Sequence, residues 1–246
     1  MARHSESLSW LRKVPSSFRI TVYDKGAHAQ SGPSIVPELR AQKQGARAQE
    51  QARACVLALP NMGREAHTYL HHIASRLASP HEPLACITVF CQGRPFDHAF
   101  DFHHTLRALA ENAGSLSEEN SEENQEKWRW LGHIIDTDTR EGALFQAWSK
   151  NTEGHCLDMD GFHQSVLGWC GPAEYVFVPG GQFLARRELL EARGLRFWER
   201  ALEVSKQWPH AAHCFERSWD KVLGAPGPAL MPGQRTAYMK RIRPKE

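Results

Sequence analysis

ACVLALPNMGREAHTYLHHI, residues 54–73, runs from a short apolar stretch straight into an amphipathic helix. Residues 54–60 form a continuous apolar run, the pattern of a strand covered on both faces. After it the period changes. Ala66, Tyr69, Leu70, Ile73 and then Leu77 recur at helical spacing on one face. Asn61 suits the helix N-cap, because its side-chain oxygen can accept from the free N–H groups of the first turn. His67 borders the apolar face, His71 lies further round and His72 points away.

Three more runs read as strands: FRITVY at 18–23, CITVFC at 86–91 and EYVFVP at 174–179. WRWLGHII at 128–135 reads as a strand or a buried turn. Helical patterns follow at TLRALAENAG, at RRELLEAR up to Gly194, at LRFWERALEVSKQW, and at a segment that ends at Gly224 with Ala212, Phe215, Trp219 and Val222 on one face. Apolar strands alternating with helices imply one α/β domain over residues 1–238, a mainly parallel central sheet covered by helices. Ligands of such sheets lie beyond the carboxyl ends of the strands. Residues 61–65 and 92–104 both follow strands directly, so one rim is expected to carry the site. Residues 26–50 read as a long loop or weak surface helix. Residues 115–127 read as an acidic, mobile insertion, too poor in apolar side chains to offset ordering entropy. Residues 239–246 form a basic tail.

The whole chain of 246 residues has 30 Lys+Arg against 28 Asp+Glu, a net charge of +2. That balance argues against nucleic acid as a partner. No run is long and apolar enough for a signal peptide or a transmembrane segment, so a cytoplasmic location is expected. The six cysteines form no C-x-x-C pair. Cys55, Cys86 and Cys91 sit in or beside strand runs and read as small core hydrophobes.

Four stretches could carry chemistry. In NMGRE, 61–65, a helix N-terminus attracts phosphate, Gly63 permits close backbone approach and Arg64 offers a planar donor fork. The alternative is a capped helix with a surface Arg–Glu pair. His67 and His71 have the spacing of paired metal ligands, but HTYLH lacks the Glu of the zinc-protease motif. In QGRPFDHAFDFHH, 92–104, Asp97, His98, Asp101, His103 and His104 are candidate ligands for Mg²⁺, Mn²⁺ or Zn²⁺; the alternative is a polar turn capped by Asp97. In FERSW, 215–219, Glu216 sits at the edge of an apolar stripe, where desolvation would suit a general base and a structural ion pair with an Arg is the rival. In VPGGQF, 178–183, two glycines after a strand allow backbone approach to a ligand or simply make a turn.

At these stretches the chain resembles the uncharacterised glycosyltransferase-like family labelled domain of unknown function 3431. The resemblance rests on RHSESLSWL at 3–11, VYDKG at 22–26, LPNMGREAHTYLHHI at 59–73, FCQGRPFDH at 90–98, GGQFLARREL at 180–189 and FERSW at 215–219. These blocks keep the family's order and span nearly the whole chain. The resemblance implies a single GT-A-like, Rossmann-like domain that moves a sugar from a nucleotide-sugar donor to an unknown acceptor. It implies donor and phosphate contacts at Arg3, Asn61, Gly63, Arg64, Glu65, Gln92 and Gly93, and an acceptor side at Gly181 and Gln182. It further implies Mn²⁺ or Mg²⁺ at Asp97 and His98, and Glu216 as the catalytic carboxylate. Two other readings remain: a metal-dependent hydrolase using the Asp/His cluster 97–104, and a nucleotide-sugar-binding module without catalysis.

Overall fold

The structure is a computed structural model that describes residues 1–26, 54–111, 127–149 and 156–227. The expected loop at 26–50 and insertion at 115–127 fall outside these residues except for Gly26 and Lys127, and the tail at 239–246 falls wholly outside. The described residues form eight strands: β1 (Ala2–Arg3), β2 (Ile20–Asp24), β3 (Ala54–Ala58), β4 (Ile87–Phe90), β5 (Trp128–Trp130), β6 (Asp136–Thr139), β7 (Glu174–Phe177) and β8 (Phe183–Arg186). The helices are α1 (Arg64–Ala78), α2 (Phe102–Glu111), α3 (Ala143–Ser149), α4 (Met159–Leu167), α5 (Arg187–Glu191), α6 (Leu195–Gln207) and α7 (Ala211–Leu223). Among the described residues, no helix is long and apolar enough to cross a membrane.

The protein is mixed α/β. β1, β2 and β3 form a parallel three-stranded sheet, with Val22 opposite Val56 in its register. The expectation of a mainly parallel sheet holds for these strands alone. β4, β8 and β5 form an antiparallel sheet, and β6 pairs antiparallel with β7. The cause is the turn at Val178–Gln182, which brings the chain back so that β8 runs against β4, with Phe183 opposite Phe90. Among the described residues a single parallel bridge, Ala2 to Gln92, joins the two larger sheets, and Ala2 N–H donates to the Cys91 carbonyl at 3.1 Å. Through that bridge the strand order is β3-β2-β1-β4-β8-β5.

Alternation along the strands feeds two cores. Phe90, Phe183 and Ala185 face a large core built with α1, α4, α6 and α7. Cys91 and Leu184 face a smaller one with Leu8, Leu11, Val14, Phe102 and Leu106. β3 departs from the expected strand covered on both faces. Among the described residues it is an edge strand, and its Cys55, Leu57 and Ala58 are exposed. Cys86 is exposed as well, and of the three cysteines read as core only Cys91 is buried.

Helix α1 buries Ala66, Tyr69, Leu70 and Ile73 as its period requires. Tyr69 packs on Phe90, Phe183 and Trp219 with ring centroids 5.2, 5.8 and 5.9 Å away. His72 does not point away from the protein. Its Nδ1 meets the Tyr23 hydroxyl at 2.9 Å, because β2 lies beneath this flank of α1.

Candidate functional site

Parallel strands end together, so β1, β2 and β3 deliver Arg3, Asp24–Lys25 and residues 59–65 to one rim. β4 brings residues 91–93 there through the Ala2 bridge. β8 starts at the same rim because it runs the other way, which adds Gly180, Gly181 and Gln182. Arg3 Nη1 pairs with Asp24 Oδ2 at 2.6 Å, in an ion pair whose carboxylate is almost fully buried.

The opening of α1 differs from a simple anion site. Its N-cap is Gly63, with no side-chain cap, and Asn61 lies exposed two residues earlier. The Lys25 ammonium donates to the carbonyls of Met62 (2.6 Å) and Arg64 (2.5 Å) and lies 3.3 Å from His67 Nδ1. These bonds hold Arg64 in the left-handed region, φ 46°, where a side chain is normally disfavoured. Burial pushes Lys25 down to about 8 against the opposing pull of Glu65. Burial, with Lys25 adding, pushes His67 down to about 4, so the ring is neutral and can accept from the ammonium. His67 and His71 stack 6.3 Å apart and serve this packing. Gly63 is needed because α6 is close. A Cβ there would stand 2.6 Å from the Ser205 carbonyl oxygen and 2.7 Å from His67 Cβ, at φ +58°. Gly63→Ala is therefore expected to lose about 2–4 kcal/mol by denaturant unfolding, from left-handed strain plus overpacking. A loss under about 0.5 kcal/mol, the range of neutral surface changes, would show that the turn relaxes freely.

Two carboxylates from different helices lie near enough at the rim for the charge of one to act on the other. Glu216 on α7 accepts from Gly180 N–H at 2.6 Å, and its other oxygen lies 3.5 Å from Arg217 Nη1 and 3.8 Å from His213 Nδ1. Burial alone would raise Glu216, but His213, Arg217 and the Gly180 N–H outweigh it and hold the group below the ordinary carboxylate range. Glu65, in the first turn of α1, has only its own N–H and the charges of Arg64 and Lys25 in support, and these do not outweigh its burial. Burial pushes it up to about 7, and the Glu216 charge adds in the same direction. The expected structural ion pair of Glu216 is thus present, and the carboxylate raised by desolvation is Glu65. Both charges also act on the Tyr69 hydroxyl, one turn along α1, which is buried with no hydrogen-bond partner among the described residues. Gly180 must be glycine: at φ +91° its α-carbon lies against the His98 ring, which a Cβ would overlap.

Residues 92–104 are held by neighbours rather than gathered around a point. Gln92 N–H donates to Gln182 Oε1 at 3.2 Å, and Gln182 Nε2 donates to the Pro95 carbonyl at 3.1 Å. Gln182 is thereby a buried strut between the two turns. Trp10 Nε1 donates to the Gly93 carbonyl at 2.8 Å. His98 stays against Gly180, and the segment then leaves the rim: Ala99, Phe102 and Leu106 pack in the smaller core, whereas α1 packs in the large one. Asp97 is exposed and pairs with Arg94 at 3.2 Å. Asp101 pairs with His133 at 2.5 Å, His103 packs on Phe96 and Trp10, and His104 is exposed. Among the described residues, no three His, Cys, Asp or Glu side chains come together as a metal-binding group.

Sequence reasoning passed over Lys25 and the Asp136-Thr137-Asp138 stretch. Asp138 is buried. Its Oδ1 accepts from Thr139 N–H (2.9 Å) and Leu144 N–H (2.7 Å), and its Oδ2 meets Arg217 at 2.8 Å (Nε) and 2.7 Å (Nη2). Arg217 also lies over the Phe177 ring, 4.7 Å from its centroid. Only its two acids, two residues apart, marked this stretch, and the work of Asp138 is to seat Arg217 beside Glu216. Comparisons with known proteins found no matching family model, no matching curated protein and no matching solved structure.

Proposed function

We propose that the protein transfers a sugar from a nucleotide-sugar donor to an acceptor hydroxyl, on a GT-A-like frame. The observation that carries this reading is the carboxylate pair Glu65 and Glu216, whose surroundings drive their protonation apart at the carboxyl rim of parallel strands. Two titratable groups tuned in opposite senses are a signature of assigned acid and base roles. Strand order adds support. In β3-β2-β1-β4 the order reverses between β1 and β4, and doubly wound sheets bind nucleotides at such a reversal.

In this reading the donor diphosphate lies near Arg3, Gln92 and Gly93, with exposed Arg64 reaching it from the start of α1. Gly181 and Gln182 border the acceptor. Glu216 stays ionised and orients the acceptor hydroxyl. Glu65, poised near neutral pH, takes the proton as the acceptor attacks the sugar carbon and the nucleoside diphosphate leaves. A divalent cation is implied by the resemblance, but Asp97 and His98 turn to separate partners and do not fit one as a joint donor set. No step is assigned to a metal. The hydrolase reading finds no support in the geometry of 97–104, whose five side chains are dispersed.

The test is a thermal-shift panel of nucleotide-sugars, each with and without Mn²⁺, followed by assay of nucleoside diphosphate release. A donor at ~100 times its dissociation constant should add about 2.7 kcal/mol of stability. Binding without release would leave a nucleotide-sugar-binding module. No shift with any donor would overturn the reading.

A further inference from the structure

Where the strand order reverses, the chain leaving β1 lies beside the turn that follows β4, and this contact is where a ligand site is expected. A carboxylate lies in it. Glu6 Oε2 accepts from the backbone N–H groups of His4 (2.7 Å) and Ser5 (3.1 Å). It also lies over the backbone of Gly93, 2.9 Å from where a Cβ would stand. Two successive N–H groups converging on one oxygen make the small concave cradle that binds phosphate and carboxylate oxygens in turns.

The surroundings fix this cradle in place. Arg3 Nε donates to the Glu6 carbonyl at 3.0 Å, and its Nη1 is locked on Asp24 at 2.6 Å. The guanidinium therefore stands beside the cradle. Trp10 secures the far wall through the Gly93 carbonyl at 2.8 Å. Gly26 supports the loop from behind, so close to the His4 carbonyl that any Cβ would collide. Among the described residues, no ion pair engages the Glu6 carboxylate; the peptide dipoles alone meet its charge.

We propose that this cradle is a phosphate subsite and that Glu6 is its built-in occupant. A phosphate oxygen of the incoming diphosphate takes the position of Glu6 Oε2, and the Glu6 side chain swings away to water. The idea rests on the nucleotide-donor reading and adds to it a competing group carried by the chain itself. Ligand affinity then includes the work of displacing Glu6, and a close negative charge opposes entry. Removing the side chain should tighten anion binding, the opposite of what losing a structural residue does.

The experiment is calorimetric titration of the full chain and of Glu6→Ala and Glu6→Gln with inorganic pyrophosphate, beside melting curves. The expected result is a gain in pyrophosphate affinity of roughly tenfold or more for Glu6→Ala and a smaller gain for Glu6→Gln, which keeps an acceptor but loses the charge. Unchanged or weaker binding in folded variants would overturn the proposal. So would a parent and variants that all fail to bind pyrophosphate, or two variants that both fail to fold, since an indispensable occupant cannot be displaced. The two readings fail separately. Nucleotide-sugars that stabilise the parent, with no gain in the Glu6 variants, remove the cradle and leave the donor. A gain for pyrophosphate with no nucleotide-sugar response keeps the cradle and removes the donor.

Discussion

Glu65→Gln is expected to melt higher than the parent above pH 7 and to lose turnover by ~10²–10⁴-fold, the usual effect of removing a general base. Burial and the Glu216 charge lift Glu65 from an ordinary 4.5 to about 7. The folded state therefore favours the neutral acid. As pH rises from 4.5, the unfolded chain gives up this proton first while the folded chain keeps it, so stability falls until about pH 7 and then levels. Glutamine has the shape of the neutral acid and no proton to lose. Parent and variant should match near pH 4 and separate through this window by on the order of 3 kcal/mol. For a domain of this size that is roughly 2–4 °C per kcal/mol. A pH series of melting curves reads the difference directly. A gap that is constant between pH 4 and pH 8 would show that Glu65 does not titrate there.

Asp138→Ala should lose about 3–5 kcal/mol, the cost of stranding one member of a buried ion pair. Arg217 is almost fully buried, and Asp138 is its carboxylate partner at 2.7 and 2.8 Å. The same change removes the acceptor for Leu144 N–H at the start of α3. Arg217→Ala should lose a similar amount. The double variant should lose clearly less than the sum, since each single change already abolishes the pair. Denaturant unfolding of all three measures it. Additive losses would mean that the two side chains do not depend on each other. Because Arg217 also lies 3.5 Å from Glu216, Asp138→Ala is expected to disturb the candidate site from a distance.

The strands at 20–24, 87–90 and 174–177 were legible because β-branched and aromatic runs declare themselves locally, and the one at 54–58 because it is a short continuous apolar run. β1, with two residues, and β5, with three, are too short to show a period. The direction of β8 was hidden for another reason. Strand pairing joins residues such as Phe90 and Phe183, far apart in the chain, and no local pattern encodes which way they meet. At the site, Glu65 and Glu216 could both be named from sequence. Which of them is raised could not, because the answer depends on Gly180 N–H, Arg217 and His213 gathering around Glu216 and not Glu65. His72 was misread since helical phase gives its angle on α1 but not that Tyr23 lies under that angle.

The Ala2–Gln92 bridge has a mechanical consequence. Two blocks of strands meet along a seam that, among the described residues, backbone stitches once, and α1 acts as the clasp across it. On that helix His72 touches Tyr23 from one block and Phe90 from the other, at centroid distances of 5.9 and 6.0 Å. A push on α1 at His72 is thus felt on both sides of the seam. The two blocks should exchange their amide hydrogens as separate cooperative units, and a molecule wedged at the seam should make them exchange as one.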